Sequence, residues 1–147
     1  MTATRAGFTV LEVLTALVVI GVLVAVAVPT WQTHAMRVRR HEAMSALLDL
    51  QRAQDLYFGR HARYAGPAQL SAAAPAGLGL GATTTHGYYS LALHLADDGL
   101  AFQATAAAES GTGQSADERC ARFTIDNLGQ RRAADASGRD RSADCWH

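Results

Sequence analysis

The apolar residues of this chain are gathered at its start. From Phe8 to Val28 it reads FTVLEVLTALVVIGVLVAVAV, and residues 13 to 28 carry no charged side chain. As a helix this run is long enough to cross a hydrocarbon layer about 30 Å thick. One residue interrupts it: Glu12 lies inside the run, where an ionised carboxylate costs about 3 kcal/mol or more unless a partner meets it. The most available counter-charge is a newly created N-terminal ammonium. Beyond Pro29 the helical pattern resumes with a different face. Met36, Ala43, Leu47, Leu50 and Tyr57 recur at spacings of three, four or seven, while Arg39, Ser45, Asp49 and Arg52 fall mostly elsewhere on the wheel. The pattern predicts one helix from about Phe8 to Phe58, apolar all round at first and striped afterwards, with Gly59 ending it.

Residues 59 to 86 are rich in Gly, Ala, Pro and Thr without a sustained period and read as a long loop. The period then becomes two. Tyr89, Leu91, Leu93 and Leu95 share one strand face, Asp97-Asp98-Gly99 supplies a turn, and Leu100, Phe102, Ala104 and Ala106 share a face of the next strand. Ala121, Phe123 and Ile125 continue the alternation, and Asn127-Leu128-Gly129 turns into a short polar strand near Gln130 to Ala134. The fold class is therefore α+β, with three or four antiparallel strands covering the helix stripe.

Charge narrows the function classes. The formal net charge is zero and all 13 basic residues are arginine, which does not indicate a globally basic nucleic-acid binder. The two cysteines, Cys120 and Cys145, are better read as one disulfide than as a metal site, because two thiolates cannot complete a tetrahedral zinc shell. Such a bond belongs outside a reducing cytoplasm and stabilises the fold by about 3 kcal/mol in the chain-entropy model. An ordinary secretory signal is the competing reading of the apolar run, with Ala25-Val26-Ala27 as its small-x-small cleavage site. Against it stand a positive region of Arg5 alone, the length of the apolar stretch, and Glu12 within it.

The segment RAGFTVLEVLTALVVIGVLVAVAVP resembles the N-terminus of a type IV prepilin: a short leader ending in Gly7, an aromatic Phe8, Glu12 four residues on, Gly21 inside the helix and Pro29 at its far end. More weakly, RVRRHEAMSALLDLQRAQDLYFGRHARY, GYYSLAL, CARFTIDNLGQ and the closing CW resemble a small minor pilin of the PilE type from a Gram-negative bacterium. Major pilins and type II secretion pseudopilins share the front half. The resemblance implies a pilin fold with a C-terminal disulfide-bounded loop. It implies a leader over residues 1–7, a membrane and filament-core half-helix over 8–29, and a soluble domain over 30–147 made of helix 30–58, loop 59–86, and sheet with C-terminal loop 87–147. It further implies cleavage between Gly7 and Phe8 by a prepilin peptidase, N-methylation of Phe8, and local extension of the helix between Gly21 and Pro29. Glu12 would pair with the Phe8 ammonium of a neighbouring subunit during assembly. The implied partners are other pilins, the peptidase, the inner-membrane assembly platform and, before assembly, the membrane itself, with the domain in the periplasm and the finished pilus outside the cell.

No constellation supports catalysis or a cofactor. His34 and His41 are seven apart without further ligands, a poor metal site, and no serine has a nucleophile-elbow context. Arg37, Arg39 and Arg40, with Arg131 and Arg132 or Arg139 and Arg141, suggest a basic surface for DNA, although a solvated face, lipid contact or subunit packing is the preferred reading. Only Arg5 precedes the apolar span while Arg37, Arg39 and Arg40 follow it, so the positive-inside count alone puts the C-terminal side in the cytoplasm. Prepilin-type processing and the disulfide both require the opposite orientation.

Overall fold

The computed structural model describes residues 9–146, without the side chains of Pro29 and Thr30. Its elements in chain order are helix α1 (Val10–His61), strands β1 (Tyr89–Ala96), β2 (Ala101–Ala108), β3 (Arg122–Asp126) and β4 (Arg131–Ala134), and a short helix α2 (Ser142–Cys145). The chain divides into two units, Met1–Ala35 and Met36–His147. In the first, α1 continues unbroken through Gly21 and Pro29, and every described side chain from Thr9 to Val28 is exposed.

The second unit holds the core. On α1 the positions Ala43, Leu47, Leu50, Gln54 and Tyr57 are buried, spaced alternately four and three residues apart so that they form one stripe. The strands form an antiparallel meander in the order β1-β2-β3-β4. Leu91, Ala106, Phe123 and Ala133 align across it as one row of the inner face, and all four are buried. β2 contributes only alanine to the next-door positions Ala104 and Ala106, while bulk comes from Tyr89 and Phe123, which meet edge to face at 5.9 Å.

Two boundaries differ from the sequence reading. Gly59 does not end α1; the helix continues to His61, whose ring stacks on Tyr57 at 4.1 Å. The left-handed residue that closes it is Ala62, whose amide still donates to the Phe58 carbonyl at 2.8 Å. Leu100 belongs to the turn before β2 rather than to its inner face, and is 60% exposed. The 59–86 connection holds a single 3-10 turn at Pro67–Gln69 and a bridge from Thr83 to Ser90 on the outer side of β1.

Candidate functional site

Two surfaces of the described chain stand out, one apolar and one basic. The apolar one is the first half of α1. Val10 is 78% exposed, and Leu11, Leu17, Val18, Ile20 and Leu23 are open in the same way on all sides of the helix. Contiguous apolar exposure of this extent marks a site of membrane or protein contact. Glu12 sits at its very start. The backbone N–H of Glu12 donates to Thr9 Oγ1 at 3.2 Å, and Val13 N–H donates to the Thr9 carbonyl at 3.2 Å, so Thr9 caps the helix and Glu12 occupies its first turn. The positive end of the helix dipole favours an acid there. Gly7 and Phe8, the predicted cleavage residues, lie outside the described residues. A Cβ built on Gly21 would meet nothing within 4 Å, so the glycine leaves a shallow notch in the apolar surface.

The basic surface is assembled differently from the sequence expectation. Arg37, Arg39 and Arg40 do not form one patch. The Arg40 guanidinium turns inward and binds Asp117 with Nε at 2.6 Å and Nη2 at 2.7 Å, and Asp117 is only 4% exposed. Arg39 lies flat over the Tyr88 ring at 4.3 Å. The ion pair belongs to a larger buried network in which Gln114 Nε2 donates to Asp117 Oδ2, to the Tyr89 hydroxyl oxygen and, more weakly, to the Met36 carbonyl. Burial first, then the Asp117 carboxylate, raises the Tyr89 hydroxyl well above the usual tyrosine range, so it stays protonated. These contacts fasten the connection between β2 and β3 onto α1.

Arg139 and Arg141 are likewise occupied. Asp135 accepts from Arg139 Nε at 3.0 Å and from the Ser137 hydroxyl at 2.6 Å, and Arg141 pairs with Asp135 and Asp144. The Ser137 hydroxyl leads the contacts that hold the Asp135 carboxyl below the usual aspartate range, outweighing the opposing effect of desolvation. On the far side of the domain Glu42 accepts from the His86 amide at 2.8 Å and from its ring at 3.0 Å. Burial raises the Glu42 carboxyl, but bonds from Thr84 and His86 outweigh it and keep Glu42 below its ordinary value.

Three further arginines lie on the last two strands. Among the described residues Arg122, Arg131 and Arg132 form no ion pair with a carboxylate. Arg122 stands opposite Ala134 and Arg132 opposite Thr124, which makes the two guanidinium stems diagonal neighbours on the outer face of the sheet. Arg131 lies over the Trp146 ring at 5.7 Å. Trp146 is held by its indole N–H, which donates to the Arg132 carbonyl at 2.7 Å, and by the disulfide from Cys145 to Cys120, whose Cα atoms are 5.9 Å apart. The segment before it runs beside β4: Ala134 bridges to Asp140, and Ala133 exchanges bonds with Arg141 and Ser142. The tail therefore covers the outer edge of the last strand, which would otherwise invite pairing with another chain.

The model of a family described as "Type IV minor pilin ComP, DNA uptake sequence receptor" matches residues 29–124. Among solved structures, one described as a type IV pilin from Shewanella oneidensis is 20% identical, with a TM-score of 0.51 over 76% of this chain and 98% of its own. At that identity the likeness shows the fold: a long N-terminal helix against an antiparallel sheet. No curated protein sequence matches the chain.

Proposed function

The chain belongs to the ComP family of type IV minor pilins, a subunit built to pack with other pilins in a pilus, and from that premise we propose how it enters the filament and what its domain offers outside. In this reading the leader is removed between Gly7 and Phe8 by a prepilin peptidase, and the Phe8 amine is methylated and keeps its charge. The precursor crosses the inner membrane once with its domain in the periplasm, and the assembly platform moves it into the filament. The observation that carries the proposal is the apolar surface of α1, uncovered on every side over residues 9–28 and bearing one acid in its first turn.

Electrostatics gives that acid a task. In a bundle of such helices water is excluded, and an unpaired carboxylate is expensive. The ammonium of Phe8 on a neighbour, four residues before Glu12 in the sequence, is a matching charge. Desolvating two ions offsets most of their attraction, so the pair contributes register more than net stability. Glu12→Gln and Glu12→Ala should reach the membrane in normal amounts and be depleted in sheared pili. Normal incorporation of both variants removes this mechanism.

A second reading has its own support. The family's description as a DNA uptake sequence receptor, together with Arg122, Arg131 and Arg132, which form no ion pair among the described residues, favours contact of β3 and β4 with DNA phosphates. Gel retardation of duplex DNA by the fragment beginning at residue 30 tests it. Binding should weaken steeply as salt rises, and Arg122→Ala with Arg132→Ala should flatten that dependence by about two counterions. Absence of binding at low salt removes the DNA reading and leaves the assembly reading untouched.

A further inference from the structure

We infer that Trp31 is a lipid-headgroup anchor which, before assembly, fixes the depth of α1 so that Glu12 rests at the opposite face of the bilayer. The inference rests on the membrane reading above and adds to it a position for each end of the helix.

Trp31 is 71% exposed, on the helix just beyond the last apolar residue of the run, Val28. The residues that follow, Gln32, Thr33 and His34, are polar. An indole has a large apolar body and one N–H donor, and the boundary between hydrocarbon and headgroups satisfies both, which is why tryptophan gathers there. From Glu12 to Trp31 an α-helix rises about 28 Å, close to the hydrocarbon thickness of about 30 Å. A helix seated with Trp31 in one headgroup layer therefore brings the Glu12 carboxylate to the other boundary, where water reaches it.

This changes when the acid is costly. With Trp31 seated, Glu12 stays hydrated as long as the subunit remains in the bilayer. Moving α1 outward carries the carboxylate into hydrocarbon and the indole into water together. The need for a counter-charge then arises at extraction, when the Phe8 ammonium of the preceding subunit is at hand, and not during storage in the membrane.

The chain has two tryptophans and no free cysteine among the described residues, which makes both positions measurable. The full chain carrying Trp146→Phe is reconstituted into phosphatidylcholine and phosphatidylglycerol vesicles, floated on a density gradient, and its emission quenched with lipids brominated at different depths. Quenching should be strongest with bromines nearest the headgroups; the Trp31→Phe control, which keeps Trp146, should be quenched by none. In the same vesicles Glu12→Cys should react with a membrane-impermeant maleimide supplied on both sides, and Val19→Cys should not. Maximal quenching by the deepest bromines, no quenching of Trp31, or a Glu12→Cys thiol as inert as Val19→Cys overturns the anchor while the membrane reading stands. A chain that does not float with the vesicles overturns the membrane reading, and the anchor with it.

Discussion

Replacing Asp117 by Ala should destabilise the domain by about 3 kcal/mol, and the figure follows from the surroundings of the pair. Asp117 accepts two bonds from Arg40 and one from Gln114, with side-chain exposures of 3% for the acid and 15% for the arginine. Removing one partner of a buried ion pair costs about 3–5 kcal/mol because the other charge is left unpaired. The partial exposure of Arg40 lets water reach its guanidinium and puts the value at the lower end. For a domain near 100 residues that loss lowers the melting temperature by about 15 °C. The companion variant replaces both charges, Arg40→Met with Asp117→Leu, and should lie within about 1 kcal/mol of the parent, since no ion is then stranded. Urea unfolding in nonionic detergent, disulfide intact and followed by near-ultraviolet circular dichroism, of the parent, Arg40→Met, Asp117→Leu and their double gives all four corners of that cycle, with Asp117→Ala measured beside them. An Asp117→Ala cost below about 1 kcal/mol, or a double variant as unstable as the sum of the singles, refutes this account of the pair.

Other outcomes are expected from the same packing. Cys120→Ser with Cys145→Ser opens a loop spanning a sequence separation of 25 and should cost about 3 kcal/mol in the chain-entropy model, read by the same urea titration. Asp135 has a folded-state pKa below its unfolded value, so the loop stability it contributes is present above about pH 4 and is lost as pH falls below the ordinary aspartate range. Trp146 emission in a Trp31→Phe background, titrated downward in pH, should report the loosening of the tail, and Asp135→Asn should abolish that acid transition. Gln54 is fully buried and bonds both backbone groups of Ala65 at 2.8 Å; Gln54→Leu strands them and should cost about 3 kcal/mol in chemical denaturation.

The parts of the molecule legible in the sequence are those governed by short-range period. The stripe Ala43, Leu47, Leu50, Tyr57 and the alternation Tyr89, Leu91, Leu93 each repeat within one element, so burial can be read from spacing alone. Glu12 stands out because an acid in an apolar run violates the pattern around it, and the assembly role proposed for it rests on that. The Arg40 to Asp117 pair does not stand out, because the partners lie 77 residues apart and nothing local distinguishes Arg40 from Arg39 or Arg37. Gln54 and Gln114 look like surface residues by type; the connection after α1 folding back at Ala65 covers the first, and packing against Tyr89 and Asp117 makes the second interior. The stop of α1 departs from its local signal for a related reason: Gly59 carries the usual mark of a helix end, but His61 stacks on Tyr57, the helix runs one more half-turn, and the left-handed position falls on Ala62. The basic surface shows the same limit in reverse. Arg139 and Arg141 read as a positive run, yet Asp135 and Asp144 neutralise them, whereas Arg122, Arg131 and Arg132 on β3 and β4 form no ion pair among the described residues.

In the proposed assembly through α1, every subunit in the filament would begin at a free, positively charged Phe8. Mass spectrometry of the N-terminal peptide, taken from this protein recovered in purified pili, measures that end group. The account predicts a peptide beginning at Phe8 with its amine methylated. A peptide that still carries residues 1–7, or one that begins at Val28 after secretory cleavage, would contradict it.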